Sequence, residues 1–293
     1  MALSYQYDRQ SKKDILRHAK ALENHKIGDV YELEKNGKRR PKLLDYYEEK
    51  KFQGWVDDKG KKHKGDKGRI GFMVQEIYFG EPKDNESESD LRIAGVELKV
   101  SPLERRPKVG LKVKERLVLG MINKDEKLPV NFCESHIYKK CKLMMLIYYV
   151  DESKSSVSPF SFPFYKSVYV KIPDEDLAMI EQDYRYIRDC VNEGKYADLH
   201  EYNAYYLSPC PKNKRRAFSL KLSYMNRLFS EYINKNILLY NPEKKSKIVP
   251  FFESIIRNPK DLKRESFETI VQGRFNRYKG KTVRQIRQSI MKS

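Results

Sequence analysis

The chain has 293 residues, with 60 Lys+Arg against 41 Asp+Glu and a net charge of +19. Its 39% hydrophobic content, with 21 Tyr and 13 Phe, excludes a disordered polyelectrolyte and is enough for one large domain or two small ones. No apolar run approaches the roughly 18–20 residues that cross a bilayer, and the first twenty residues lack the apolar centre of a secretion signal. Four cysteines (Cys133, Cys141, Cys190, Cys210) form no CxxC pair, so reduced cytoplasmic thiols are expected and a zinc site is not. The positive charge recurs at Lys38–Lys42, Lys59–Arg69, Arg105–Arg116, Lys139–Lys142, Lys212–Arg216 and Arg274–Arg287. A spread of this kind suits a folded groove following a phosphate backbone, where each contact releases condensed counterions. Charge kept for solubility and binding to an anionic membrane are the alternatives.

In chain order, Ser11 followed by Ile15, Leu16, Ala19 and Leu22 predicts a short amphipathic helix. Residues 53–68 are Gly- and Lys-rich without periodicity and predict a mobile basic loop, with the sole tryptophan, Trp55, at its start. Gly71 to Phe79 predicts a short buried helix carrying one acid, Glu76, and Glu81 to Ser89 a polar connection. Leu91 to Val100 predicts a strand on which Glu97 and Lys99 share a face. Further strands are expected over 112–122, 141–150 and 166–172, the second apolar enough to lie mid-sheet. After Pro173, Leu177, Ile180, Tyr184, Ile187 and Val191 repeat at helical spacing until Gly194. Arg216 to Lys221 alternates as a strand, Ser223 is expected to cap a helix through Ile233, and short helices are expected at 265–272 and 282–291. The sum is an α/β chain: a mixed β-sheet flanked by helices, with an α-rich C-terminal lobe. Residues 1–70 would form a helical segment and basic loop, and 71–293 the main domain.

The chemistry concentrates in DLRIAGVELKV. Asp90 stands seven residues before Glu97, and Lys99 two beyond it. Phosphodiester hydrolysis needs a hard divalent cation held by carboxylate oxygens and a group that orients water. Two side chains at i and i+2 on a strand point the same way, so Glu97 can hold the metal while Lys99 reaches the water or the phosphate. Glu76 could join from its helix or pair with Arg69 instead. By itself the pattern is loose and equally describes an ion pair on a solvated strand. Downstream, KNKRRAFSLK (Lys212 to Lys221) gathers cations with an aromatic and a hydroxyl side chain, the chemistry that reads guanine edges or clamps phosphates. His136, beside Lys139, reads as a surface histidine or a phosphate contact.

Three segments, AGVELKVSPL, KERLVLGMIN and YLSPCPKNKRRAFSLKLSYMNRLF, resemble the GATC-specific restriction endonucleases of the Sau type. Those enzymes share the fold of the mismatch-repair nicking endonuclease MutH, in the PD-(D/E)xK nuclease superfamily. The resemblance implies a restriction-endonuclease-like fold and Mg2+-dependent hydrolysis of double-stranded DNA at GATC. It implies catalytic places for Asp90, Glu97, Lys99 and Glu76, with Mg2+ on Asp90, Glu97 and the Leu98 carbonyl. It adds a further active-site lysine, either Lys140 or Lys142. It also implies DNA contacts from Lys212, Lys214, Arg215, Arg216, Ser219 and Lys221, with Arg216, Ser219 and Lys221 as leading base readers. Sau-type enzymes carry a second, inactive copy of the fold. One copy is seen here, so a homodimer on DNA, or a second domain, is the expected partner for cutting both strands. A MutH-like nickase and a catalytically silent DNA-binding or allosteric module are the alternative functions.

Overall fold

The computed structural model describes residues 6–242, apart from 38–40, 57–61, 65–67, 83–87, 153–156, 213–214, 238 and 241. Ser11 caps the first helix, α1 (Lys12–Lys20), by accepting the Asp14 N–H, and Ile15 and Ala19 turn inward as their spacing predicts. Helices α2 (Ile27–Gly37), α3 (Pro41–Tyr46) and α4 (Lys50–Gln53) follow. The 53–68 stretch is not wholly a loop: β1 (Gly54–Val56) and β2 (Lys62–Lys64) pair antiparallel, with Trp55 opposite His63. Helix α5 (Arg69–Met73) runs on through a π-helical turn, Val74–Tyr78, and the chain leaves it at Gly80, whose φ of +67° suits a residue without a side chain.

The expected strand from Leu91 is broken. Arg92–Ala94 form a 3-10 turn, Gly95 sits at φ +63°, and Leu91 and Val96 exchange both backbone hydrogen bonds, at 2.9 and 3.2 Å. Only after this turn does β3 (Glu97–Arg106) begin. The expected 112–122 strand is two: β4 (Gly110–Val113) pairs with β3, whereas β5 (Leu117–Ile122) belongs to a different sheet. The expected 141–150 strand starts late, because Ser135 accepts the Tyr138 N–H and starts α6 (His136–Lys142); β6 is Met144–Val150. Cys141 is thus a buried thiol of helix α6, not of a strand.

Strand β7 (Phe164–Val170) leads to α7 (Asp174–Asn192), which ends before Gly194 at φ +74°. Strands β8 (Leu207–Lys212) and β9 (Arg215–Leu220) form a hairpin ahead of α8 (Leu222–Leu228) and a π-helical turn, Phe229–Ile233. The cap position of α8 is Lys221, which makes no side-chain cap bond; Ser223 lies inside the first turn. The helices expected at 265–272 and 282–291, and with them the C-terminal lobe, lie outside the described residues. No helix among the described residues is long and apolar enough to cross a membrane.

Among the described residues the main sheet has the order β4-β3-β6-β7, mixed because β3 and β6 run parallel while the other pairs are antiparallel. A second, antiparallel sheet has the order β5-β9-β8. Every residue of β6 is buried, and its two faces feed different cores. Met145, Ile147 and Tyr149 pack with α1, α2 and α5; Met144, Leu146 and Tyr148 pack with α7, α8 and the second sheet. Leu98 and Val100 of β3 join the first core and Leu103 the second. Strand alternation therefore turns Glu97 and Lys99 toward α6 and the second sheet.

The N-terminal helix docks through an aromatic stack. His18, 6% exposed, lies between the rings of Tyr7 and Tyr78 at centroid distances of 4.4 and 4.0 Å, with Nε2 3.1 Å from the Tyr78 carbonyl. Burial lowers its pKa to about 4, outweighing the opposing pull of that carbonyl. Because the unfolded chain binds this proton near pH 6.5, stability is complete above that pH and falls as pH drops toward 4, by up to about 3 kcal/mol. Urea melts at pH 7 and 4.5 are expected to show this loss in the wild type and to show it reduced in His18→Gln.

Candidate active site

The turn at 91–96 gives the Asp90-to-Glu97 spacing its meaning. With Gly95 in the left-handed region, the chain folds back so that Asp90 Oδ2 accepts the Leu98 N–H at 3.1 Å. The Asp90 carboxylate is thereby fixed at the start of β3 beside Glu97. Lys99 Nζ sits between the acids, 3.2 Å from Asp90 Oδ2, hydrogen-bonded to Glu97 Oε1 and 3.2 Å from the Leu98 carbonyl. Burial works against its charge, but the charges and hydrogen bonds of Glu97 and Asp90 outweigh that cost and raise its pKa above the ordinary lysine value. Lys99 is a cation at neutral pH in this arrangement.

A second ammonium reaches the same carboxylate from α6. Lys140, 9% exposed, places Nζ 2.9 Å from Glu97 Oε1. Lys142 is exposed. Two positions along a helix differ by about 200°, so only one of the pair can face the site, and α6 presents Lys140. The sequence left this open because neighbouring lysines at the start of the expected strand allow more than one register.

Glu97 is fully buried, and its Oε2 has no hydrogen-bond partner. A bare buried carboxylate oxygen is costly unless a cation meets it. The donor set here is two carboxylates and the Leu98 carbonyl, all hard oxygens. Among the described residues no three His, Cys, Asp or Glu side chains converge as a metal cage. Mg2+ commonly takes one or two carboxylates and retains several waters, so the residues present fit it. Glu76 is not part of a three-acid cluster: its carboxylate accepts the Tyr47 hydroxyl on the α5 side. Arg69 donates to the Tyr46 carbonyl at 3.0 Å and lies over the Tyr46 ring.

The β8–β9 hairpin sorts the remaining candidates. Lys212 and Arg215 are exposed opposite one another at its tip, and Arg216 is half-buried, with its N–H on the Tyr196 hydroxyl at 2.8 Å. Lys214 lies outside the described residues. Ser219 is fully buried, its Oγ 3.3 Å from that of Ser208, so it reaches no surface. Lys221 turns back onto the Ala204 carbonyl. His136 is half-buried rather than a surface residue. Burial, and then the charge of Lys140, lower its pKa. Tyr47, with its hydroxyl on Glu76, was invisible in the sequence because the two are 29 residues apart.

Two comparisons bear on this geometry. Residues 79–183 match the family described as "DNA mismatch repair enzyme MutH". That segment contains Asp90, Glu97, Lys99 and Lys140. The "Type II restriction enzyme Sau3AI" of Staphylococcus aureus is 30% identical over 237 residues, 75% of this chain and 45% of that enzyme. The chain thus spans less than half the length of that relative. The mixed α/β architecture, with helices on both faces of the main sheet, is that of the MutH-like restriction endonucleases.

Proposed function

We propose that this chain is a type II restriction endonuclease that hydrolyses double-stranded DNA at GATC with Mg2+. The observation that carries the reading is Glu97, buried, held at one oxygen by two lysines and bare at the other. A silent DNA-binding copy has no use for that arrangement. The GATC target rests on the sequence resemblance. A divalent ion on Asp90, Glu97 and the Leu98 carbonyl would supply Lewis acidity at a phosphoryl oxygen and acidify a water. The chain's own contribution is two fixed ammonium groups. Lys99 orients the attacking water, and Lys99 and Lys140 together place positive charge where the phosphate gains negative charge in the transition state. Burial makes those charges worth more than in water.

Sequence reading falls to Arg216, with Lys212, Lys214 and Arg215 on phosphates. Arg216→Ala is expected to weaken discrimination for GATC by about 1–3 kcal/mol while nonspecific binding changes little. Competition binding against duplexes altered by one base pair checks this; a uniform loss on every sequence would make Arg216 a phosphate contact. Because the target is palindromic, cutting both strands takes two active sites, from a second protomer or a further copy of the fold.

Digestion of supercoiled plasmid with magnesium, with calcium and with EDTA tests the function. Magnesium-dependent fragments ending at GATC are expected. Open circles alone would favour a MutH-like nickase, and intact plasmid despite calcium-supported binding to GATC duplexes would mean a recognition module.

A further inference from the structure

We infer that His136 is a positioning residue that couples the seating of β9 on DNA to the Lys140–Glu97 pair. The inference rests on the nuclease reading above and adds to it the route by which sequence recognition licenses cleavage. Helix α6 is only two turns long and touches both functional parts of the molecule. His136 and Lys140, four residues apart, lie on one face of it. At one end Lys140 Nζ is 2.9 Å from Glu97 Oε1. At the other, the His136 ring meets the recognition sheet at two points. A Cβ on Gly120 of β5 would stand 3.3 Å from His136 Nε2 and 3.5 Å from Cδ2, so a glycine there is what lets the ring approach. The same ring stands edge-on to Phe218 of β9, with centroids 5.6 Å apart and planes at 74°.

Gly120 and Phe218 are register partners, directly past the irregularity between Val118 and Gly120. Phe218 is fully buried and lies two residues from Arg216, on the same side of β9. Arg216 engaging a base edge therefore pulls on the strand that holds Phe218. Phe218 bears on His136, and His136 sets the angle of the helix that carries Lys140. Interiors packed at this density pass a small displacement on rather than absorb it. The ring lies against the face of the second sheet where β5 and β9 pair.

The test is single-turnover cleavage with magnesium of a GATC duplex and of duplexes changed by one base pair, with calcium-supported binding measured in parallel. His136→Ala is expected to lower cleavage at GATC about tenfold, and by more than at the altered sites, while binding stays within about threefold. His136→Phe, which keeps a ring edge against Phe218, is expected to restore most of the rate. Gly120→Ala, whose Cβ would crowd the ring from β5 beside Phe218, is expected to reproduce the defect. Equal losses on all sequences, or no rescue by Phe, would overturn the inference and leave His136 as core packing. Hydrogen exchange separates this from a failure of the nuclease reading. In the wild type, DNA is expected to slow exchange at the amides of α6 and of β9. In His136→Ala only β9 is expected to remain slowed. If the wild type binds GATC but cuts nothing, the nuclease reading falls and the exchange result alone decides the coupling. A chain that binds no duplex overturns both.

Discussion

Glu97→Ala is expected to reduce magnesium-dependent cleavage at least about a thousandfold, about 4 kcal/mol of transition-state stabilisation, while DNA affinity without divalent ions stays within a few-fold. The side chain reaches no solvent, so its loss removes no phosphate contact. The same substitution acts on the fold, because Lys99 and Lys140 both rest on Glu97 Oε1. Removing one partner of a buried ion pair strands the other, at about 3–5 kcal/mol. Glu97→Gln keeps the shape and an acceptor oxygen and is expected to lose cleavage equally while unfolding at a higher urea concentration than Glu97→Ala. Plasmid cleavage and urea melts on both variants separate the two effects. Cleavage within tenfold of the wild type in either variant would remove Glu97 from the metal site.

Asp183→Ala is expected to be the most damaging change outside the active site, costing about 3–5 kcal/mol. The carboxylate stands on α7 with 2% of its surface exposed and accepts the backbone N–H groups of Tyr205, Tyr206 and Leu207 at 2.7, 2.6 and 2.8 Å. Deleting it removes the acceptor shared by three backbone N–H groups, the Leu207 one buried, and the penalty falls on the segment that leads into β8. The β8–β9 hairpin is thus anchored from behind by one acid. Denaturant unfolding is expected to show the loss in midpoint, and amide exchange is expected to quicken first at the start of β8. A midpoint shift under about 1 kcal/mol would mean that water takes over the three donors.

Much of this site was legible because it is local. Asp90, Glu97 and Lys99 fall within ten residues, and strand alternation alone puts Glu97 and Lys99 on one face. The apolar stretch in the expected 141–150 strand announced a strand in mid-sheet, and the part that is strand, Met144–Val150, is buried throughout. The errors came where local pattern and long-range pairing disagree. Residues 112–122 read as one strand, yet the chain changes sheets in the middle, and no local signal records which strand will be a neighbour. Lys140 and Lys142 could not be told apart until Ser135 was seen to cap a helix there. Ser219 was a candidate reader through the resemblance of its strand, but its side chain is fully buried against Ser208.

The sequence by itself determined the class of the protein: a basic α/β chain with a carboxylate–carboxylate–lysine set on one strand, worded like a GATC endonuclease. Composition, two-residue alternation and a turn glycine are properties of neighbouring residues, so they survive without any tertiary contact. Only the tertiary structure decided that Lys140 and not Lys142 meets Glu97, that Glu97 keeps a bare oxygen, that Asp183 holds the β8–β9 hairpin, and that α6 touches both Glu97 and the second sheet. Each of these brings together groups separated by tens of residues. Their proximity is set by which faces the two cores bury, a property of the whole chain and of no segment in it.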